Sequence, residues 1–343
     1  MASALELVDE EYNEATPGLG HVGFLVWLDR TGLPAWQIGI TAFICLVIFG
    51  ISNIVISAYP RPGIYSIVIG FVAIISYYLV FYLQMGRGWH RDLQSVLDFD
   101  PKLLKVIPIL RPSNAIVWVE IVIAFIAACT NIYISGQITH QYPLVYATAL
   151  ILYWFQYLLI ILIIDILVRQ WIMLLKICDN IRLDLLQTDF YSNLANVMFR
   201  FLKLYIFGLS VIILSYTMIT AGAVSFPELL IMMTPFYVPA LSLGLYLVPY
   251  NRFKTRMRQA KAIELNHVLR AINGDRAHLS YSLVGEDAER LTKVDLMYYE
   301  DRIRKIKEWP FTDRIRSLLL FGVLPPLTWV IAALIEIFIE GVL

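Results

Sequence analysis

The chain has 343 residues, 59% of them hydrophobic and only 16% charged, with a mean hydropathy of +0.69 and a formal net charge of zero. One soluble core of this size cannot bury so much apolar surface, so the composition excludes an ordinary soluble domain and predicts an all-α membrane protein. The zero net charge conceals a segregation: 25 of the 27 Lys and Arg residues fall in 87–114, 169–203 and 251–316, and the other two are Arg30 and Arg61.

Runs of about 20 apolar residues, the length a bilayer core requires, predict seven transmembrane helices near 36–58, 64–86, 115–135, 143–168, 203–222, 229–249 and 317–339. The three basic segments are the second–third, fourth–fifth and sixth–seventh connections. Cationic loops remain on the cytoplasmic side, so the N-terminus is predicted inside and the C-terminus outside. The protein is expected in the plasma membrane or a bacterial-type inner membrane. In chain order this gives a cytoplasmic N-terminal arm over 1–35 and transmembrane helices one to six over 36–249, with a cytoplasmic extension near 169–200. Cytoplasmic anchor helices and a loop follow over 250–311, and the last transmembrane helix over 312–343.

The arm over 1–35 is acidic and lacks a basic leader followed by a small-residue cleavage site, so the first span is expected to serve as its own insertion signal. Outer connections are short and almost uncharged. Beyond the fourth span, Trp171, Leu174, Leu175, Cys178, Ile181 and Leu185 keep a helical period. The fifth helix is predicted to start early, around 189–193, with Leu194, Val197, Met198 and Phe201 in the same period. The sixth is predicted to run on through Phe253, Met257, Ala260, Ile263 and Leu269 to a stop at Asn273-Gly274. After a loop over 274–286, Glu289–Glu308 reads as an amphipathic helix with Leu291, Val294, Met297, Tyr298, Ile303 and Ile306 on its apolar side. Trp309-Pro310 ends it. Apolar stripes outside lipid need protein partners, and the extensions are therefore expected to build an anchor below the bilayer.

Ionisable residues inside spans are costly and call for a reason. Asp165 and Arg169, four residues apart, predict a local ion pair at the inner end of the fourth span. Glu120 either faces the inner water boundary or joins a buried network, with Asn53 or Arg169 among the partners. Glu336 and Glu340 share a face near the outer end of the last helix, which either seats them at the headgroups or serves ion conduction. Pro325-Pro326 breaks that helix about midway, as a fixed kink or as a hinge. Leu324, Leu327, Ile331 and Ile335 are candidates for a hydrophobic constriction. Tyr133, Tyr146, Tyr153, Met233, Phe236 and Tyr237 are candidates for an apolar pocket for a small organic ligand, or for ordinary interfacial anchors.

The seven spans, the inside N-terminus, the short outer loops, the cytoplasmic extensions and the split last helix together resemble the insect odorant and gustatory receptor superfamily and its distant relatives, prokaryotic ones included. In that family the final helix reads Thr-Tyr, five hydrophobic residues, then Gln. Here it reads Thr328-Trp329, six hydrophobic residues and Glu336, one residue longer and with a carboxylate at the polar position. The resemblance implies a homotetrameric or heterotetrameric cation channel, with the last helix lining the pore, the cytoplasmic segments joining the subunits and ligand pockets in the outer half. In such an assembly Glu336 and Glu340 would form two carboxylate rings that favour a permeant cation.

Partners expected from this reading are further copies of the chain, membrane lipids, the permeant cation and a small organic ligand. Nucleic acid is not expected, because topology and anionic lipid account for the basic loops. The motifs of intramembrane and soluble hydrolases are absent, His residues are scattered, and Cys45, Cys129 and Cys178 show no zinc or disulfide spacing. Neither an enzyme, a metal site nor a cofactor is predicted. A secondary transporter and a non-conducting signalling or assembly subunit are the alternatives to a channel, and no internal repeat of the transporter kind is visible.

Overall fold

The computed structural model describes residues 28, 31–57, 64–105, 114–135, 142–183, 226–284 and 291–306, together with 185, 196, 200–204, 206–208, 211 and 215. Side chains are described for all of these except 90, 94, 95, 104, 105, 114, 134, 135, 226–246, 278, 280 and 281. Among the described residues the chain is helical, without strands. Six α-helices follow in order: α1 Ala35–Ile56, α2 Ile64–Phe99, α3 Asn114–Ser135, α4 Pro143–Asn180, α5 Phe226–Ile272 and α6 Lys293–Lys305. Short 3-10 turns at Pro101–Lys105 and Arg276–Tyr281 follow α2 and α5. Four helices, α1, α2, α3 through Ala115–Tyr133, and α4, are long and apolar enough to cross a membrane. The protein is thus a helical membrane protein.

α1 and α2 lie antiparallel at close range. A Cβ on Gly39 would fall 2.2 Å from Val80 Cγ2, and one on Gly50 would fall 2.7 Å from Val68 Cγ1. Residue numbers thus fall on one helix as they rise on the other. Lipid supplies no hydrophobic drive between helices, so close approach at small residues provides the contact. At the end carrying the basic segments, the Arg87 guanidinium donates to Leu33 O at 2.5 Å and to Leu28 O at 3.3 Å, which holds the start of α1 beside α2.

α2 and α4 run parallel and side by side. Phe71 meets Tyr153 edge-on at 4.7 Å between ring centres, and nearer the basic end Gln170 Nε2 donates to Met85 O at 3.2 Å. α3 packs antiparallel on α4, where Trp154 Nε1 donates to Ile121 O at 3.4 Å and Asn131 Nδ2 to Tyr157 OH at 2.8 Å. The opposite faces of α1 and α3 carry exposed apolar side chains, among them Ile44, Ile48, Val122, Phe125 and Ile126, as a lipid boundary requires.

The second helix outruns its predicted end. α2 continues for 13 residues beyond Gly86 to Phe99, with Trp89, Leu93 and Val96 buried. The fourth continues unbroken to Asn180, with Gln170, Met173, Leu174, Ile177 and Cys178 buried; Trp171 and Leu175 flank that face half-buried. Its extension stops short of 187, because Ile181 turns to extended backbone at ψ 136°. The backbone of α5 stays helical through Pro235 and Pro239, each of which removes one donor without ending the helix. α5 ends one residue before Asn273-Gly274, where Gly274 takes φ +111°.

Two predicted stripes are corrected. On α5 the buried positions are Tyr250, Phe253, Met257, Glu264, Val268 and Ala271, while Ile263 and Leu269 are exposed. That spacing is close to 3.5 residues, and a carboxylate occupies one of its inward positions. α6 begins at Lys293 rather than 289 and buries Leu296 and Ile303, leaving Val294, Met297 and Tyr298 on the open side. Its start is set by a capping box: Thr292 Oγ1 accepts from Asp295 N, and Asp295 Oδ2 accepts from Thr292 N at 2.9 Å and from its hydroxyl at 2.6 Å.

Two outcomes follow from this packing. Gly39→Leu should lower the thermal midpoint of the detergent-purified protein, at a cost of about 1–3 kcal/mol from overpacking against Val80, and a second change, Val80→Ala, should restore part of it. The Thr292 bonds hold the Asp295 carboxyl below its ordinary value of 3.8. A lowered acid stabilises fully above the ordinary value and loses that contribution as pH falls through the lowered one. Hydrogen exchange over 292–306, corrected for intrinsic rates, should therefore show protection fading only on acidification below pH 3.8. Asp295→Asn should reduce that pH dependence.

Candidate functional site

At the basic end of the apolar zone, three ionisable side chains from two helices come together. Asp165 and Arg169 lie on one face of α4 and form a two-pronged pair, with Arg169 Nε donating to Oδ1 at 2.9 Å and an Nη donating to Oδ2. Glu120 on α3 is electrostatically coupled to both. It is 7% exposed and accepts no hydrogen bond among the described residues. The depth is marked by Trp118, two residues away and 68% exposed on the outer face of α3, as a headgroup-level indole would be. Of the two sequence readings of Glu120, the structure adopts the network with Arg169. Two carboxylates share one guanidinium, and the group carries a net charge of −1.

Below this level the helix ends are knitted by charged groups. Arg200 Nη2 meets Asp92 Oδ2 at 2.7 Å, both side chains being largely buried. The guanidinium reaches Asp92 by lying across Gly88, where a Cβ would fall 1.9 Å from its Cζ. Asp100 Oδ1 accepts from Lys102 N at 3.3 Å and its Oδ2 from Arg182 N at 3.1 Å, which pins the end of α2 to the end of α4. Arg256 of α5 donates to Cys178 O and to Ile181 O, so a cation satisfies the open carbonyls at the negative end of α4. Arg252 adds an exposed pair with Asp179 at 2.9 Å.

Farther along α5, Glu264 is 4% exposed and collects four donor contacts. Its Oε1 accepts from Ser282 Oγ at 2.5 Å, from Tyr299 OH at 2.9 Å and from Leu283 N at 3.1 Å, and its Oε2 accepts from Leu283 N at 3.2 Å. One carboxylate therefore clamps the loop after Arg276–Tyr281 and the α6 helix to α5. Ala271, Leu279 and Leu296 form a small apolar cluster beside it. Asp92, Arg200 and Glu264 are functional-site candidates that hydrophobic periodicity does not reveal. A usable signal for Glu264 is its seven-residue spacing from Met257 and Ala271 in an inward register.

The predicted pocket is gathered only in part. Tyr153 is half-buried against Phe71 and Tyr146 is half-buried nearby on α4. Tyr133 is 88% exposed and projects away from α4, so it lines no cavity within one chain. Its polar neighbour Asn131 turns inward to Tyr157 instead. Met233, Phe236 and Tyr237 lie on the α5 backbone, with side chains outside the described residues. Glu336, Glu340, Leu324, Leu327, Ile331, Ile335, Pro325 and Pro326 all lie outside the described residues. No family model, curated protein or solved structure matches the chain.

The Asp92–Arg200 pair makes a direct prediction. Arg200→Met leaves a buried carboxylate uncompensated and should cost about 3 kcal/mol, read as a lower unfolding midpoint in detergent. Adding Asp92→Leu should recover a large share of that loss, since the pair is then removed as a unit.

Proposed function

We propose that the chain is one subunit of a fourfold assembly in which the last apolar segment, 317–339, lines a cation pathway. The observation that carries the reading is the apolar face left on α6, a helix from the charged part of the chain where no lipid is at hand. Val294, Met297 and Tyr298, at i, i+3 and i+4, are 72, 48 and 74% exposed. A face of that kind is covered in water by another protein surface, and a second subunit is the surface present at matched stoichiometry. Support also comes from the segregated basic residues, which orient the chain with its N-terminus in the cytoplasm of a plasma or inner membrane. The likeness to odorant and gustatory receptors belongs to the same proposal.

In this scheme Glu336 and Glu340 stand at the outer mouth, and Leu324, Leu327, Ile331 and Ile335 close the pathway by excluding water, with Pro325-Pro326 as the joint. A small organic ligand held between α2, α4 and the apolar half of α5, near Tyr146, Tyr153 and the 233–237 turn, biases that joint. The knitted extensions below the membrane join each subunit into a rigid unit.

Reconstituted bilayer recordings test it. Glu336→Gln should lower cation conductance or selectivity, and Glu336→Lys should oppose cation entry more strongly. Both effects should exceed those of the same changes at Glu228. Unchanged conductance and reversal potential in both variants would remove this residue from the pore, and a monomer in native-membrane extracts would remove the assembly.

One observation favours a second reading, a secondary transporter: the net negative group at Glu120, Asp165 and Arg169 sits where a coupling ion would be carried. Substrate uptake with fixed ion stoichiometry and no unitary currents would select it.

A further inference from the structure

We propose that Glu120, together with Asp165, holds a small monovalent cation at the basic-side end of α3. The inference does not depend on a pore in the last helix, and it concerns residues no part of that reading uses.

The argument is one of charge and burial. α4 is the helix packed along α3, and the charged groups it turns toward Glu120 are Asp165 and Arg169. α3 itself carries no other ionisable side chain between Asn114 and Ser135 except Cys129 and Tyr133, and Tyr133 projects outward. Arg169 gives two donors to Asp165, so that pair neutralises itself. Glu120 is then a carboxylate more than nine-tenths buried, facing a neutral pair, with no hydrogen-bond donor among the described residues. A buried charge in that position is expensive unless it is paired. A small cation bridging Glu120 and the free lone pairs of Asp165 brings the three-residue group from −1 to zero. An anion or a neutral amide would leave it charged.

Both an alkali cation and a proton meet this requirement, and each is a monovalent positive charge small enough for the gap between two packed helices. They differ in what competes for the site. An alkali ion needs several oxygen ligands, which Glu120, Asp165 and water supply; a proton needs one carboxylate oxygen.

The test uses the full-length protein in detergent or nanodiscs, with thermal unfolding followed by intrinsic tryptophan fluorescence. Sodium chloride, potassium chloride and N-methyl-D-glucamine chloride are compared at equal ionic strength and fixed pH. A pH series in N-methyl-D-glucamine chloride supplies the proton arm. Because a ligand that binds only the folded state raises its stability, the wild-type midpoint should rise by roughly 2 °C or more with sodium or potassium, which identifies an alkali ion, or with acidification alone, which identifies a proton. Glu120→Gln should lose that response and, without cation, should unfold at a higher temperature than the wild type. Asp165→Asn leaves Glu120 free to pair with Arg169 and should lose the response as well. A wild-type midpoint indifferent to both alkali ion and pH overturns the proposal, and so does a response that Glu120→Gln retains. If Glu120→Gln does not fold, a response undiminished in Asp165→Asn overturns it.

Discussion

α2 and α4 stand parallel from the edge-on contact of Phe71 with Tyr153 to the Gln170 bond on Met85 O, and the rest of the molecule leans on one or the other. α1 is pressed against α2 through Gly39 and Gly50, and α3 rests on α4. The helical residues 201–208 return along α2, where Tyr77 OH donates to Leu204 O at 2.6 Å and Phe81 meets Phe201 edge-on. α5 reaches α4 through Arg256. In lipid such a pair cannot be driven together by the hydrophobic effect, so dense packing and a few satisfied polar groups hold it. That is why the buried amide of Gln170 matters more there than its single bond would in water.

The same two helices change environment without changing backbone. Their apolar portions give way to extensions whose outer faces are charged and whose inner faces remain apolar, so one continuous core runs from the bilayer into the basic side. Its ends are closed by side chains rather than by turns of the helix itself. Asp100 receives amides from two segments, and Arg256 covers two carbonyls. Each uses a full charge against a helix end or a turn, where partial charges are exposed.

Apolar length is legible because the bilayer imposes it, and the four long apolar helices fall where the sequence puts spans. What lies beyond the membrane was harder to read. The extension of α2 begins Gly86-Arg87-Gly88, which looks like a loop; it is helical because Arg87 finds carbonyls near α1 and Gly88 makes room for Arg200. On α6 both faces carry apolar residues, and the choice between Val294, Met297, Tyr298 and Leu296, Ile303 depends on where Tyr299 must stand to reach Glu264. Glu264 itself reads as a surface residue, since a periodicity argument counts only apolar side chains. At the charged site, the i, i+4 pair of Asp165 and Arg169 was readable from spacing, whereas Glu120 comes from another helix and required the fold.

α4 is one helix of 38 residues, about 57 Å long at the usual rise. It couples its two ends as a stiff rod does. A tilt of about 5° about the outer end would sweep Asn180 through about 5 Å, several times the amplitude at the level of Tyr153. Arg252 and Arg256 grip that far end, so small leverage near the outer aromatics arrives at α5 magnified, with Glu120 riding close to the middle of the stroke.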